Sequence, residues 1–341
     1  MHPQLNIIII NSLTQASLGL IKKLLIGIII VYAIPCYGQI ISETQWFFGG
    51  SEYNLQFDKN GILVYEESRM APDFGSGGPA VLCDAITGNL GFYSDGVKIY
   101  DGSGEIMFGA TDLNGDPSLN QTAVVSPFPN SSDQYLLFTN SSEISAVDEL
   151  QYAIIDMSAP GNGSTTAPLG EVISSGNSVG LFMPADGMTV VQSASDPNLN
   201  WLITQNRGTA IFYVYKITQD GVDTTPISVL DPFNTDIRTF EAANISMNPQ
   251  FSVLAIAPKT ALRNVMLLNF DDINGVLSYN NQVLETGFPD DAEENTYDVE
   301  WSNDGTKLYI SRYGSQSNLT GNVYQYNLTD SLAFIHSILP D

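Results

Sequence analysis

Past residue 38 the chain is written in short apolar runs of β-branched and aromatic residues, separated by Gly, Asn, Asp, Ser and Pro. Helical periodicity is nearly absent, and runs punctuated in this way predict strands joined by turns. The runs fall into a recurring unit: a strand, a polar turn, a second aromatic strand, a gap, then a third strand. Its clearest copy is Val299-Glu-Trp-Ser-Asn-Asp-Gly-Thr-Lys-Leu-Tyr-Ile310, followed by Asn322-Val-Tyr-Gln-Tyr-Asn-Leu328. Within it, Asn303-Asp304-Gly305 is a hairpin turn whose glycine takes positive φ without a steric penalty. Asp271-Asp272 before Asn274-Gly275 reads as another hairpin tip by the same logic.

Four earlier copies follow the same plan. They run Ala80-Val-Leu-Cys83, Leu90-Gly-Phe-Tyr-Ser94 and Val97-Lys-Ile-Tyr100; then Ala123-Val-Val, Tyr135-Leu-Leu-Phe-Thr139 and Leu150 to Asp156. Next come Thr189-Val-Val, Trp201-Leu-Ile-Thr204 and Ala210 to Lys216; then Asn244-Ile-Ser, Ser252 to Ile256 and Asn264 to Phe270. Units recurring at roughly 45–65 residues have the period of propeller blades. No unit can bury both of its faces alone, and radial packing against neighbours around one axis solves that problem. The expected fold is therefore an all-β propeller of WD40-like or PD40-like four-stranded blades. Five blades are recognisable, and six or seven are expected of a complete ring. Residues 45–66, around Trp46-Phe-Phe48, either supply one further blade or belong to a truncated piece; an open ring would leave a raw sheet edge.

The first 38 residues differ from the rest. Lys22 and Lys23 precede an apolar run from Leu24 to Ile34, then Pro35, Cys36, Tyr37 and Gly38. This is the layout of a secretory signal with a cut expected at Gly38/Gln39. The run is shorter than the ~20 residues a membrane-spanning helix needs. Pro35 directly before Cys36 argues against lipidation there, and the apolar stretch Ile7–Ile10 leaves room for a downstream start. The division is a signal peptide over 1–38 and a propeller domain over 39–341, secreted or held at a bacterial cell surface, with no stable membrane span after cleavage.

Composition narrows the chemistry. The 341 residues carry 37 acidic and 12 basic side chains, a net charge of −25, and charged residues make up only 14%. Nucleic acid is a poor partner for such a chain, because binding it requires a basic stripe. With two histidines and two cysteines in all, Cys/His zinc sites and histidine-based triads are nearly excluded. Beyond the signal the only cysteine is Cys83, read as a small buried hydrophobe, and the only histidine is His336, near the chain end.

The order of motifs carries a family resemblance. Trp46-Phe-Phe-Gly49 with Leu55 and Phe57, then Gly88-Asn-Leu-Gly-Phe-Tyr-Ser-Asp-Gly96, Gly115-Asp-Pro-Ser118, Gln121-Thr-Ala-Val-Val125, Tyr135-Leu-Leu-Phe-Thr139 and Tyr152-Ala-Ile-Ile-Asp-Met157 stand in sequence, followed by Trp201-Leu-Ile-Thr204, Phe212-Tyr-Val-Tyr215 and Trp301-Ser-Asn-Asp-Gly305. This order resembles the propeller-like N-terminal region of large exported surface proteins that end in a gliding-motility-associated C-terminal sorting domain and use type IX secretion. The resemblance spans about residues 45–330 and implies a propeller outside the cell; it lends no chemistry. These 341 residues hold no sorting domain, so surface attachment is not carried over. Relatives usually place a histidine after the Trp-x-Ile-Thr strand, where this chain has Gln205.

Few constellations look chemical. Asp112, Asn114 and Asp116 put oxygen ligands at alternate positions, as calcium loops do, though Pro117 stands where the turn glycine belongs. They are the candidate metal ligands, Ca²⁺ being the only cofactor in view; the alternative is an ordinary acidic turn. Asp290 and Asp291 open an acidic run that ends at Glu294, and Tyr297, Tyr309 and Tyr313 flank it. Such rings can stack on a sugar, which makes these five residues the candidate ligand-binding set. Trp46, Trp201 and Trp301 are expected in the core. No catalytic residue is assigned, and Arg69, Arg207, Arg238, Arg263 and Arg312 are scattered one per region.

The expected function is that of an exported, non-catalytic binding or scaffold module for an extracellular glycan or protein, monomeric or part of a longer chain. A glycan-active propeller enzyme using paired carboxylates is the alternative. A passive spacer of a larger adhesin-like protein is the third reading.

Overall fold

A computed structural model describes residues 45–47, 54–57, 63–67, 75, 77–84, 86–141, 148–207, 209, 211–231, 241–250, 253–259, 265–284, 295–313, 322–327 and 333–337. Every regular element among them is a β-strand. The predicted signal segment, Asp290 and Asp291 lie outside the described residues.

Six antiparallel sheets follow one another along the chain. The first holds β1 (Gln45–Phe47), β2 (Asn54–Phe57) and β3 (Leu63–Glu67), and the second β4 (Ala80–Cys83), β5 (Leu90–Ser94) and β6 (Ile99–Asp101). The third holds β7 (Ala123–Pro127), β8 (Gln134–Thr139), β9 (Glu149–Asp156) and β10 (Glu171–Phe182). The fourth holds β11 (Pro184–Gln192), β12 (Asn200–Asn206) and β13 (Ile211–Thr218), with β14 (Gly221–Val222) and β15 (Ser228–Leu230) both paired to β13. The fifth is β16 (Ala242–Met247), β17 (Val253–Pro258), β18 (Val265–Asp271) and β19 (Val276–Leu284). The sixth is β20 (Asn295–Trp301), β21 (Lys307–Tyr313), β22 (Asn322–Asn327) and β23 (Ala333–Ser337). The five sequence repeats are the second to sixth sheets, and residues 45–67 make a sheet of their own.

The first strand of each sheet touches the first strand of the next, from β1 through β4, β7, β11 and β16 to β20. That is the arrangement of a β-propeller, with inner strands grouped about an axis. The core lies between the blades. Phe47 meets Tyr93 and Tyr100 between the first two sheets; Phe92 and Ile99 meet Leu137 and Ile155 between the next two. Leu136 and Phe138 meet Leu202 and Ile217 between the third and fourth sheets. Trp201, Ile203 and Phe212 meet Leu254, Ile256 and Leu268; Ala255 and Leu267 meet Trp301 and Ile310.

Alternation explains the layering. Successive side chains of a strand point to opposite faces, so Leu136 and Phe138 serve one interface and Leu137 the other. Likewise Trp201 and Ile203 face the fifth sheet while Leu202 faces the third. Because both faces are buried, each strand reads as a continuous apolar run, which is how the repeats are visible in the sequence.

The turns are built as expected. Gly305 has φ +65°, Asp304 takes the Thr306 N–H, and the hairpin closes between β20 and β21. Trp201 and Trp301 are buried, and Cys83 is packed into β4. Trp46 departs from the expectation of a core residue: it is 49% exposed and tilts against Phe57 at 5.3 Å. Alternation in the short β1 points Phe47 inward and leaves Trp46 outward.

Candidate functional site

The polar heart of the molecule is the face where the second strands end and the next first strands begin. There β8 delivers Asn140, β12 delivers Gln205, and Lys259 follows β17, while Asp186 opens β11 and Ala242 opens β16. Glutamines knit the rim: Gln121 Oε1 accepts the Met188 N–H at 2.7 Å, and Gln205 Oε1 accepts the Ala242 N–H at 2.7 Å. Gln205 is thus a buried cap on the next blade.

Asp186 is the hub, with 3% of its surface exposed. The Asn120 N–H donates to its Oδ2 at 3.3 Å, and the Asn140 amide donates to its backbone oxygen at 2.7 Å. Lys259 Nζ donates to its Oδ1 at 3.0 Å and to Glu241 Oε1 at 3.3 Å. Third, fourth and fifth sheets therefore meet at one carboxylate. Close approach is allowed by Gly187, where a Cβ would stand 3.0 Å from that of Ala242. Burial works against the Lys259 charge, but Asp186 and then Glu241 outweigh it, and its pKa is raised. Arg207 holds the matching place after β12 and spends its charge on Asp148 at 2.6 Å. Two acceptors in this region, Asn140 Oδ1 and Asn244 Oδ1, are buried without a partner among the described residues.

Asp298, mostly buried on β20, has its pKa pushed up to about 6 by burial, with the Val299 N–H pulling the other way. A raised carboxyl pKa means the folded state holds the proton more tightly than the unfolded chain. The contribution of this one group to stability is then greatest below about pH 4, falls as pH rises towards 6, and is flat above. Two pKa units correspond to on the order of 2–3 kcal/mol. Asp298→Asn is expected to raise stability at pH 7 by up to that amount and to leave it unchanged at pH 4. Urea unfolding of both proteins at the two pH values checks it; equal differences at both would sink the assignment.

The sequence-predicted residues fare unevenly. Asn114 is used up by the fold: its amide donates to the Glu149 carbonyl at 2.6 Å and its oxygen accepts from Thr139 at 2.8 Å. Asp116 Oδ1 takes the Ser118 N–H and hydroxyl at 2.9 and 2.6 Å, the pattern of an acidic turn. Asp112 is exposed. Among the described residues no group of three or more His, Cys, Asp or Glu is placed to hold a metal ion. Tyr297 is 39% exposed at a bulge where β20 skips register between Thr296 and Asp298. Tyr309 lies opposite Glu300 and Tyr313 opposite Asn295. Tyr309 and Tyr313 are thus four residues apart on β21, about 13 Å along a strand, and the Tyr297 bulge of β20 lies opposite the stretch between them.

A separate cavity of about 240 Å³ is lined by Leu90, Tyr93, Gly102, Ser103 and Gly104. Beside it, both Asp101 carboxylate oxygens are satisfied, by Ser103 and by Asn162. Nothing local in the sequence marks Asp186, Glu241, Lys259 or Asn140, because the fold joins positions up to 73 residues apart.

No family model matches the chain, and no curated protein matches it. Among solved structures it is similar to a protein from Lactobacillus plantarum, at 15% identity and a TM-score of 0.49, covering 86% of this chain and 80% of that one. It is also similar to a 6-phosphogluconolactonase-like protein from Bacteroides fragilis, at 12% identity and a TM-score of 0.45, covering 85% and 78%. A third is an exo-β-1,3-galactanase from Phanerochaete chrysosporium with galactose, at 12% identity and a TM-score of 0.42, covering 85% and 66%. The activities in those names belong to those proteins.

Proposed function

We propose that this chain is an exported, non-catalytic β-propeller that acts outside the cell as a binding module, its glycan or protein ligand seated on the face where Asp186, Glu241 and Lys259 meet. The observation that carries the reading is the convergence of three blades on one partly open polar cluster. Sites of propellers lie where such turns gather about the axis. Export is supported by the signal layout of residues 1–38, and a place in a larger surface protein by the motif order described above.

The non-catalytic part of the reading rests on Lys259. Hydrolysis of a glycosidic bond by two carboxyl groups needs one of them protonated and one ionised. Here Asp186 and Glu241 both bond the one Lys259 ammonium, at 3.0 and 3.3 Å, so each carboxylate is already engaged by a cation and no second, separately placed carboxyl stands with them among the described residues. A catalytic reading would draw instead on Asp298, whose raised pKa suits a general acid. A panel of aryl glycosides separates the two: no turnover is expected, and hydrolysis abolished by Asp298→Asn would overturn the non-catalytic reading. A glycan array together with capture of surface proteins tests the binding role. A folded protein that retains neither leaves only the spacer.

A further inference from the structure

The Lys259 cluster also carries information about the chemistry of its ligand. An ammonium has three N–H donors. Two of them go to Asp186 and Glu241, and the third is uncommitted among the described residues. The Lys259 side chain is 39% exposed, that of Glu241 17% and that of Asp186 4%, so the cluster opens to solvent through Lys259 and Glu241. Glu241 Oε2 takes no bond from a described residue. The site therefore presents one donor, on Lys259, beside one acceptor, Glu241 Oε2.

Three ligand classes meet this arrangement differently. A metal ion would have to displace the ammonium that already stands 3.0 and 3.3 Å from the two carboxylates, or sit beside a like charge. An anionic ligand meets one positive and two negative charges, in a chain of net charge −25. A hydroxyl group suffers neither penalty, because it accepts from Lys259 Nζ while donating to Glu241 Oε2. We propose that Lys259, Glu241 and Asp186 form a hydroxyl-binding subsite for a neutral saccharide. This rests on the binding role proposed above and adds to it the place and the ligand class.

The test is calorimetric titration of the purified protein with neutral hexaoses (cellohexaose, xylohexaose, mannohexaose and laminarihexaose), with hexagalacturonate, and with calcium chloride alone. Wild type, Glu241→Gln and Lys259→Met are compared. At least one neutral hexaose is expected to bind, with affinity lost by about tenfold or more in both variants, while hexagalacturonate and calcium give no saturable heat. Lys259→Met leaves Asp186 without its cation; should it fail to fold, Glu241→Gln, which keeps the Lys259–Asp186 pair, decides alone. Hexaose affinity unchanged in the folded variants would overturn the site while leaving the binding role intact. Hexagalacturonate or calcium bound in wild type and lost in the variants would overturn the ligand class. Absence of any hexaose binding overturns the subsite, and the binding role then stands only if a captured protein ligand is found.

Discussion

Trp201→Ala is expected to destabilise the protein by about 3–5 kcal/mol, the range for emptying a large buried aromatic site. Trp201 is 3% exposed, lies between the fourth and fifth sheets, and donates its indole N–H to the Asp272 carbonyl at 2.7 Å. Its ring is also the surface on which the β18–β19 turn rests. A Cβ added at Gly275 would come 2.5 Å from Trp201 Cζ3, and the φ of +68° there favours glycine. Alanine at 201 thus removes the wedge between two blades, strands a carbonyl and takes the support from a hairpin tip. Trp201→Phe keeps most of the ring and loses the hydrogen bond, so about 1–2 kcal/mol is expected from it. Urea unfolding followed by far-UV circular dichroism reads both; a loss below about 1 kcal/mol for the alanine variant would show that the two sheets do not depend on this contact.

Asp186→Ala is expected to remove about 2–4 kcal/mol. Breaking a buried ion pair from one side leaves the other charge uncompensated, which commonly costs about 3–5 kcal/mol, and the partial exposure of Lys259 reduces that figure. The Asn120 N–H loses its acceptor as well. Most of the loss is expected to come from the stranded cation, so Asp186→Ala combined with Lys259→Met should recover at least half of it. If the double variant is no more stable than the single one, the ion pair is not what joins the third, fourth and fifth sheets at this point.

The fold was legible because both faces of each strand are buried. Runs such as Tyr135-Leu-Leu-Phe-Thr139 and Trp201-Leu-Ile-Thr204 carry apolar residues at odd and even positions alike, and the turns at Asn303-Asp304-Gly305 and Asn274-Gly275 announce themselves by residue type. The outer strands were harder to read. β10 and β19 mix polar and apolar residues, and β10 breaks register three times against β9, passing Gly176 and Gly180 at positive φ. No clean alternation survives such breaks. The candidate site was the least legible part. Asp186, Glu241 and Lys259 each stand alone in the sequence, and only the folding of one blade against the next brings them together. The Asp112, Asn114 and Asp116 spacing resembles a calcium loop, yet Asn114 serves Glu149 and Thr139, and Asp116 serves Ser118. Nearness in sequence to the acidic run does not show the register, which sets Tyr309 and Tyr313 along β21 with the Tyr297 bulge opposite the stretch between them.

The two-sided packing of each blade bears on which length changes the molecule can absorb. One residue added within β12 would exchange the seats of Trp201 and Leu202, handing a bulky indole to one neighbouring blade and an undersized side chain to the other in a single stroke. Growth by insertion is therefore confined to connections that no blade clasps. The excursion between β9 and β10 is held to the second sheet by Asn162, which donates to Asp101 and to the Ile106 carbonyl, but its exposed tip from Ser164 to Ala167 closes on itself through a small bridge. Grafted segments placed there would leave the odd and even bookkeeping of every strand untouched.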